Sequence, residues 1–315
     1  MPNGILIVDK PAGWTSQDVV AKLRGVYHEK RMGHGGTLDP MATGVLPIFI
    51  GRATRAVPFF EHADKVYEAT LRLGLITDTQ DITGRTLEER PINVTLEQLE
   101  AVLASFRGEI EQIPPMYSAI KVNGQKLYQL ARKGREVERE ARTVTIYELT
   151  PVGSDPLIAP VIADGNDAAA PQRQEASGDA SLRADVQLRV HCSKGTYVRT
   201  LCHDIGAALG CGGCMAALRR TRAGRYSIDQ AHTLEEILAA PDPEALLLPV
   251  DSLFNDRPAL TVNEDAERKL RNGAVVGTLN AVDGEYRVYS RSGDFLLLGS
   301  VMQGELRTVK SFFQP

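Results

Sequence analysis

The sequence predicts an α+β fold, a mixed, largely antiparallel sheet with flanking helices, followed by a small β-rich C-terminal domain. Two patterns predict the first part: short apolar runs that read as strands, and capped amphipathic segments that read as helices. They alternate without the regular repeat of a doubly wound parallel sheet. The second part follows from residues 250–315, where short strands are separated by Gly-containing turns. At 315 residues the chain also exceeds the length at which one core keeps growing, which favours two domains, residues 1–249 and 250–315.

In chain order, Ile5 to Val8 is an apolar strand that enters the turn Asp9-Lys10-Pro11-Ala12-Gly13. Ser16 is placed to cap a helix whose apolar face is Val19, Val20, Leu23 and Val26. Gly44 to Ile50 and Val66 to Leu73 read as further strands, the second by alternation, and Thr95 to Phe106 as a capped helix. Gln125 to Arg142 reads as a charged helical arm carrying Arg132 and Lys133, suited to a polyanion. Glu136, Glu138 and Glu140 equally fit a solvated helix laced with opposite charges. Residues 153–181 are rich in Ala, Asp, Pro, Gly and Gln and read as a flexible insertion. Strand character resumes at Asp185 to Val190, and again at Tyr286 to Tyr289 and Phe295 to Leu298.

The formal net charge of −4 conceals segregation. From Arg189 to Tyr226 there are seven Lys or Arg residues against Asp204, whereas Asp229 to Glu267 holds ten acids against Arg257. Such blocks point to a polyanion-binding face, because phosphate neutralisation and counterion release drive that kind of binding. Strand alternation turns Arg220 and Arg222 to one side as a candidate phosphate-neutralising pair, and at least one of Arg219, Arg220 and Arg222 is expected to face the polyanion. Four cysteines, Cys192, Cys202, Cys211 and Cys214, include one Cys-x-x-Cys pair, but the second half of a structural zinc site is missing, so buried thiols are expected and no metal. The start, Met1-Pro2-Asn3, has no basic leader before its short apolar run, which predicts a cytoplasmic protein without a membrane span.

Gly33-His34-Gly35-Gly36-Thr37-Leu38-Asp39-Pro40 is the most specific segment. Its glycines allow close backbone approach to a ligand, and Pro40 holds the preceding Asp39 in an extended or turn conformation. The arrangement aims one short carboxylate at a fixed point, and no dinucleotide or triphosphate fingerprint explains it. Taken alone it also fits a simple Asp-Pro turn.

With this loop come Asp9-Lys10-Pro11-Ala12-Gly13, Asp64-Lys65-Val66-Tyr67, Pro114-Pro115-Met116-Tyr117-Ser118-Ala119, Cys192-Ser193-Lys194-Gly195-Thr196-Tyr197-Val198-Arg199 and Leu218-Arg219-Arg220. In this order the set resembles the TruB family of tRNA pseudouridine synthases, from about residue 4 to the C-terminus, with residues 153–181 as a departure. The resemblance implies conversion of uridine 55 in the T-arm of tRNA to pseudouridine, with Asp39 as nucleophile. A carboxylate suits that reaction because it can hold one fragment covalently, at C6 of the base or at C1′ of the ribose, while the uracil turns, and no cofactor is needed.

By the same resemblance Arg199 is the cation that keeps Asp39 ionised, and Tyr67 packs on the target base and assists removal of the C5 proton. Tyr197 and Leu218 line the pocket, His34 replaces the flipped base in the stack, and Lys10 supports the active loop. Arg132, Lys133, Arg219, Arg220 and Arg222 are supporting or RNA-contacting residues, and the C-terminal part resembles a PUA module that touches the acceptor end of tRNA. Beyond tRNA no obligate protein partner is implied. A different RNA uridine, or an additional RNA-folding role, is the alternative.

Overall fold

The computed structural model describes residues 2–118, 120–122, 124–131, 133–152, 184–278 and 281–313, so the expected insertion at residues 153–181 and Arg132 lie outside the described residues. By compactness the chain divides into one unit of Met1–Ala63 with Arg222–Pro315 and a second of Asp64–Thr221.

In the first unit the Gly4–Lys10 strand is apolar at successive positions because both its faces are covered. It pairs antiparallel with Thr43–Ile50, from Gly4 opposite Ile50 to Lys10 opposite Gly44, and parallel with His232–Thr233 on its other edge. Met32–His34 also pairs antiparallel with Thr43–Ile50. The helix Ser16–Tyr27 buries Val19, Val20, Leu23 and Tyr27. Its cap is Thr15, which exchanges hydrogen bonds with Asp18 in a capping box, and not Ser16 as the sequence suggested. Ser16 lies one position inside and is buried, so its hydroxyl is free for another task described below.

Residues of the C-terminal part share a core with the N-terminal segment: Ile5, Phe49, Phe60, Tyr226, Phe254, Leu298 and Phe312 are all buried in it. The C-terminal part has its own five-stranded sheet, ordered Ala259–Thr261, Gly284–Tyr289, Phe295–Met302, Glu305–Ser311 and Val276–Gly277. The first pair is parallel and the others antiparallel. A second core of Val262, Leu270, Val288, Leu297 and Leu306 packs beside it, closed by the helix Glu264–Arg271. This is the β-rich tail the sequence predicts.

In the second unit the strands run Gly213–Ala223, Lys65–Leu73, Asp185–Cys192, Arg142–Pro151 and Gly108–Gln112. The last four are joined antiparallel. Lys65–Leu73 does not alternate as expected: seven of its nine residues are buried, since a central strand is covered on both faces. Helix Leu96–Ser105 starts at a Thr95–Gln98 capping box. Helix Val198–Ala208 packs so closely that a Cβ on Gly206 would lie 2.2 Å from the Gly213 amide nitrogen.

The expected arm at Gln125 to Arg142 is corrected. Among the described residues of this stretch only Leu127–Ala131 is helical, and Gly134, at φ +67°, donates its N–H to Ala131 O while Arg135 donates to Leu130 O. That is a glycine C-terminal stop, and the run of alternating charges after it has no apolar face with which to restart a helix.

Candidate functional site

Two groups of predicted residues assemble, one in each unit. In the first unit the Asp39 loop leaves the Met32–His34 strand and is held at several points. Gly35 donates to Pro47 O at 2.8 Å, and a Cβ there would lie 2.5 Å from the Phe60 ring, so only glycine fits. The Ser16 hydroxyl takes the Leu38 N–H at 2.8 Å and donates to Leu38 O at 3.1 Å, with the Leu38 side chain buried. Asp39 O accepts from Ala42 N at 3.1 Å, closing a turn, and Pro40 O accepts from Gly13 N at 2.8 Å.

Lys10 is fully buried, and its ammonium donates to Pro11 O at 2.8 Å, Trp14 O at 2.7 Å and Pro40 O at 3.2 Å. A buried ammonium is costly unless its donors are satisfied. Here three carbonyls satisfy them and, in doing so, tie the Asp9–Gly13 turn to the residue after Asp39. Asp39 itself is half-exposed, with the residues on both sides of it fixed. The result is a half-exposed aspartate on a loop anchored on both sides of it. His34 ends the strand that feeds this loop.

In the second unit Arg199 occupies the first turn of the Val198–Ala208 helix and is 6% exposed. Its guanidinium donates to Asp81 Oδ2 at 3.2 Å and to Tyr117 O at 2.9 Å. Asp81 is 4% exposed; its other oxygen, Oδ1, accepts from Thr79 Oγ1 at 2.9 Å, Thr83 N at 3.0 Å and Thr83 Oγ1 at 2.5 Å. The Asp81 loop rests in turn on the Gly213–Ala223 strand, through Ile82 N to Met215 O at 2.9 Å and Met215 N to Gln80 O at 3.0 Å. That strand carries Leu218 three residues later, 8% exposed.

Tyr197 precedes the Arg199 helix and is clamped through its backbone by Gln112, whose Oε1 accepts from Tyr197 N at 3.0 Å and whose Nε2 donates to Tyr197 O at 3.3 Å. Tyr67 stands on Lys65–Leu73 opposite Val190 and is 8% exposed. On the same strand Lys65 is buried, and burial, then the neighbouring Arg220 charge, depress its pKa. Burial pushes the Cys192 thiol up to about 11, as expected of an inert structural cysteine. All four cysteines are buried thiols.

Arg220 is 1% exposed, which corrects the expectation that it meets phosphate beside Arg222. Alternation does group Leu218, Arg220 and Arg222, but the side they share is the one on which Leu218 is buried. Arg222 donates to Gly224 O at 3.1 Å, and both it and Arg219 are half-exposed. Lys133 is exposed at the turn after the short helix.

The sequence reading missed Asp81, Gln112 and the loop-anchoring role of Ser16. Asp81 sits among Thr77, Thr79 and Thr83, and such a cluster of small hydroxyls around one carboxylate, ahead of Gly84, is the one signal that could have marked it.

Comparison with known proteins follows this geometry. The profile of the TruB family pseudouridylate synthase N-terminal domain matches residues 24–159, and that of the tRNA pseudouridylate synthase B C-terminal domain matches residues 199–255. The chain is 45% identical over 273 residues to tRNA pseudouridine synthase B of Ralstonia pickettii, covering 86% of this chain and 79% of that one. It is 39% identical over 313 residues to the protein of that name from Escherichia coli strain K12, covering 95% and 91%. Among solved structures, a chain of a Cbf5-Nop10-Gar1 complex aligns with 99% of this chain and 85% of its own length, at a TM-score of 0.67 and 25% identity.

Proposed function

The chain belongs to the TruB family of pseudouridine synthases, which isomerise uridine in tRNA to pseudouridine, and we propose that its target is uridine 55 of the T-arm. Asp39 is the nucleophile in this reading. The observation that carries it is the pinned loop: a half-exposed carboxylate whose neighbours Leu38 and Pro40 are fixed by Ser16 and Lys10. Such fixing holds a reacting oxygen in position before substrate arrives.

In the proposed reaction an Asp39 oxygen forms a bond to C6 of the uracil or C1′ of the ribose, and the bond between N1 and C1′ breaks. The freed base turns, C5 bonds to C1′, the C5 proton leaves to a base and one returns to N1. In the C1′ route the new C5–C1′ bond displaces the Asp39 oxygen from that carbon, and in the C6 route the bond from C6 to Asp39 breaks afterwards, so the product has the composition of the substrate. No cofactor takes part. Arg199 supplies the cation that favours the ionised carboxylate against desolvation, its own position set by Asp81 and Tyr117. Tyr67 stacks on the base and assists proton removal at C5, Tyr197 and Leu218 line the pocket, and His34 fills the gap left by the flipped uridine.

Arg132, Lys133, Arg219 and Arg222 contact RNA, while Lys10 and Arg220 support the site from within. Residues 1–249 form the catalytic domain, and residues 250–315 a PUA-like module that touches the acceptor end. The enzyme works in the cytoplasm with tRNA as its partner. Among the described residues no helix is long and apolar enough to cross a membrane.

The test is a position-by-position map of pseudouridine in an unmodified tRNA transcript incubated with the purified protein alone. Conversion confined to position 55 supports the proposal; conversion at another uridine moves the substrate assignment.

A further inference from the structure

We propose that the segment following the Ser16–Tyr27 helix is a second tRNA-binding surface, one that grips the phosphate backbone beside the Asp39 loop through Lys30, Arg31 and Arg52. The inference rests on the reading above that RNA is the substrate and Asp39 meets it.

The helix ends at His28, in the left-handed conformation at φ 49°, and the chain then runs Glu29-Lys30-Arg31 into the Met32–His34 strand. His28, Lys30 and Arg31 are exposed. Arg31 O accepts from Gly51 N at 2.8 Å, which brings the next residue, the half-exposed Arg52, to the same place. Arg24 also carries positive charge in the last turn of the helix, but there it complements the helix dipole and says nothing of a ligand. Lys30, Arg31 and Arg52 lie beyond the helix and have no such explanation.

Among the described residues no acid neutralises these three neighbouring cations. Elsewhere Arg72, Arg90, Arg189, Arg257, Arg268, Arg271 and Arg307 each pair with a carboxylate. Among the described residues Lys30, Arg31 and Arg52 form no ion pair. The one acid within the segment, Glu29, accepts the Arg31 backbone N–H at 2.7 Å. Asp242 and Glu244 act instead on the Tyr27 hydroxyl, raising its pKa.

Position supplies the partner. Arg31 and His34 are three residues apart along an extended strand, about 10 Å at ~3.3 Å per residue. An RNA whose base is handled at the Asp39 loop carries its flanking phosphates past these cations, and clustered cations without acidic partners complement a polyanion.

The test compares the salt dependence of tRNA binding for full-length protein in an Asp39→Asn background, with and without Lys30→Ala plus Arg31→Ala. Each phosphate contact contributes about 0.7–0.9 to the slope of log affinity against log salt, so losing both flattens it by about 1.4–1.8. Lys22→Ala is a single-charge comparison at an exposed position within the helix, and it should leave the slope unchanged. Lys30→Arg plus Arg31→Lys should also keep the parental slope. An unchanged slope in the double alanine variant, or equal flattening by Lys22→Ala, overturns the inference. Turnover by the chain with Asp39 intact is measured separately: if it makes no pseudouridine in tRNA, the substrate reading fails, whereas turnover with an unchanged slope defeats this inference alone.

Discussion

Arg199 and Asp81 form a buried ion pair, 118 residues apart in sequence and 3.2 Å apart in space. Each is less than a tenth exposed, so neither charge is tolerable without the other. Removing one partner of such a pair typically costs about 3–5 kcal/mol, because the survivor is left charged and dry. Asp81→Ala should therefore lower stability by roughly that amount in urea denaturation. Asp81→Asn keeps the Thr79 and Thr83 contacts and should cost less, yet still slow turnover by releasing the guanidinium. Parental stability in Asp81→Ala would contradict the coupling.

Lys10 should behave as a structural cation. Lys10→Met leaves the Pro11 and Trp14 carbonyls without the ammonium donor, at about 1–3 kcal/mol for each one left buried and unsatisfied, while Pro40 O keeps the Gly13 N–H. The expected result is a destabilised protein with a loosened Asp39 loop, seen as faster hydrogen exchange at Ala42, whose N–H bonds Asp39 O. Exchange at the parental rate would separate Lys10 from the loop.

Gly35→Ala tests the closeness of the loop to Phe60. A Cβ 2.5 Å from the ring forces one of them to move, at about 1–3 kcal/mol for overpacking. Pairing it with Phe60→Leu should recover part of the stability and part of the turnover. Failure to recover either would place the strain elsewhere.

Alkaline stability should report Tyr27. Burial first, and then Glu244 and Asp242, push its hydroxyl up to about 12 from 10.0, while that hydroxyl donates to Pro243 O at 2.9 Å. A group whose pKa is raised on folding contributes stability that is fully present below its unfolded value and lost as pH climbs through its folded value. The parent should thus lose stability between about pH 10 and pH 12. Tyr27→Phe should lose less over that window, and the difference between the two proteins isolates this residue from Tyr289, which titrates in the same range. Identical pH profiles would exclude the linkage.

How much was legible in the sequence divides by range. The Asp39 loop, the Thr95 helix and the β-rich tail were readable because glycine spacing, caps and turns are local signals. The Asp81 contact to Arg199 and the Gln112 clamp on Tyr197 were not, since a carboxylate in a turn and a glutamine at a strand end look alike whether or not the fold brings a partner 118 or 85 residues away. Ser16 was misassigned because Thr15 and Ser16 are both competent caps, and tertiary demand from Leu38 decides between them. The parity of Arg220 was right and its exposure wrong, since alternation says which residues share a side and nothing about what covers it.

The central claim is that Asp39 is the nucleophile, and the most direct measurement is pseudouridine formation at position 55 of unmodified tRNA by Asp39→Asn, alongside tRNA binding by the same variant. Asparagine keeps the size and removes the anionic oxygen, so turnover should vanish while affinity, dominated by phosphate and stacking contacts, stays close to that of the parent. Pseudouridine at the parental rate in that variant would contradict the account.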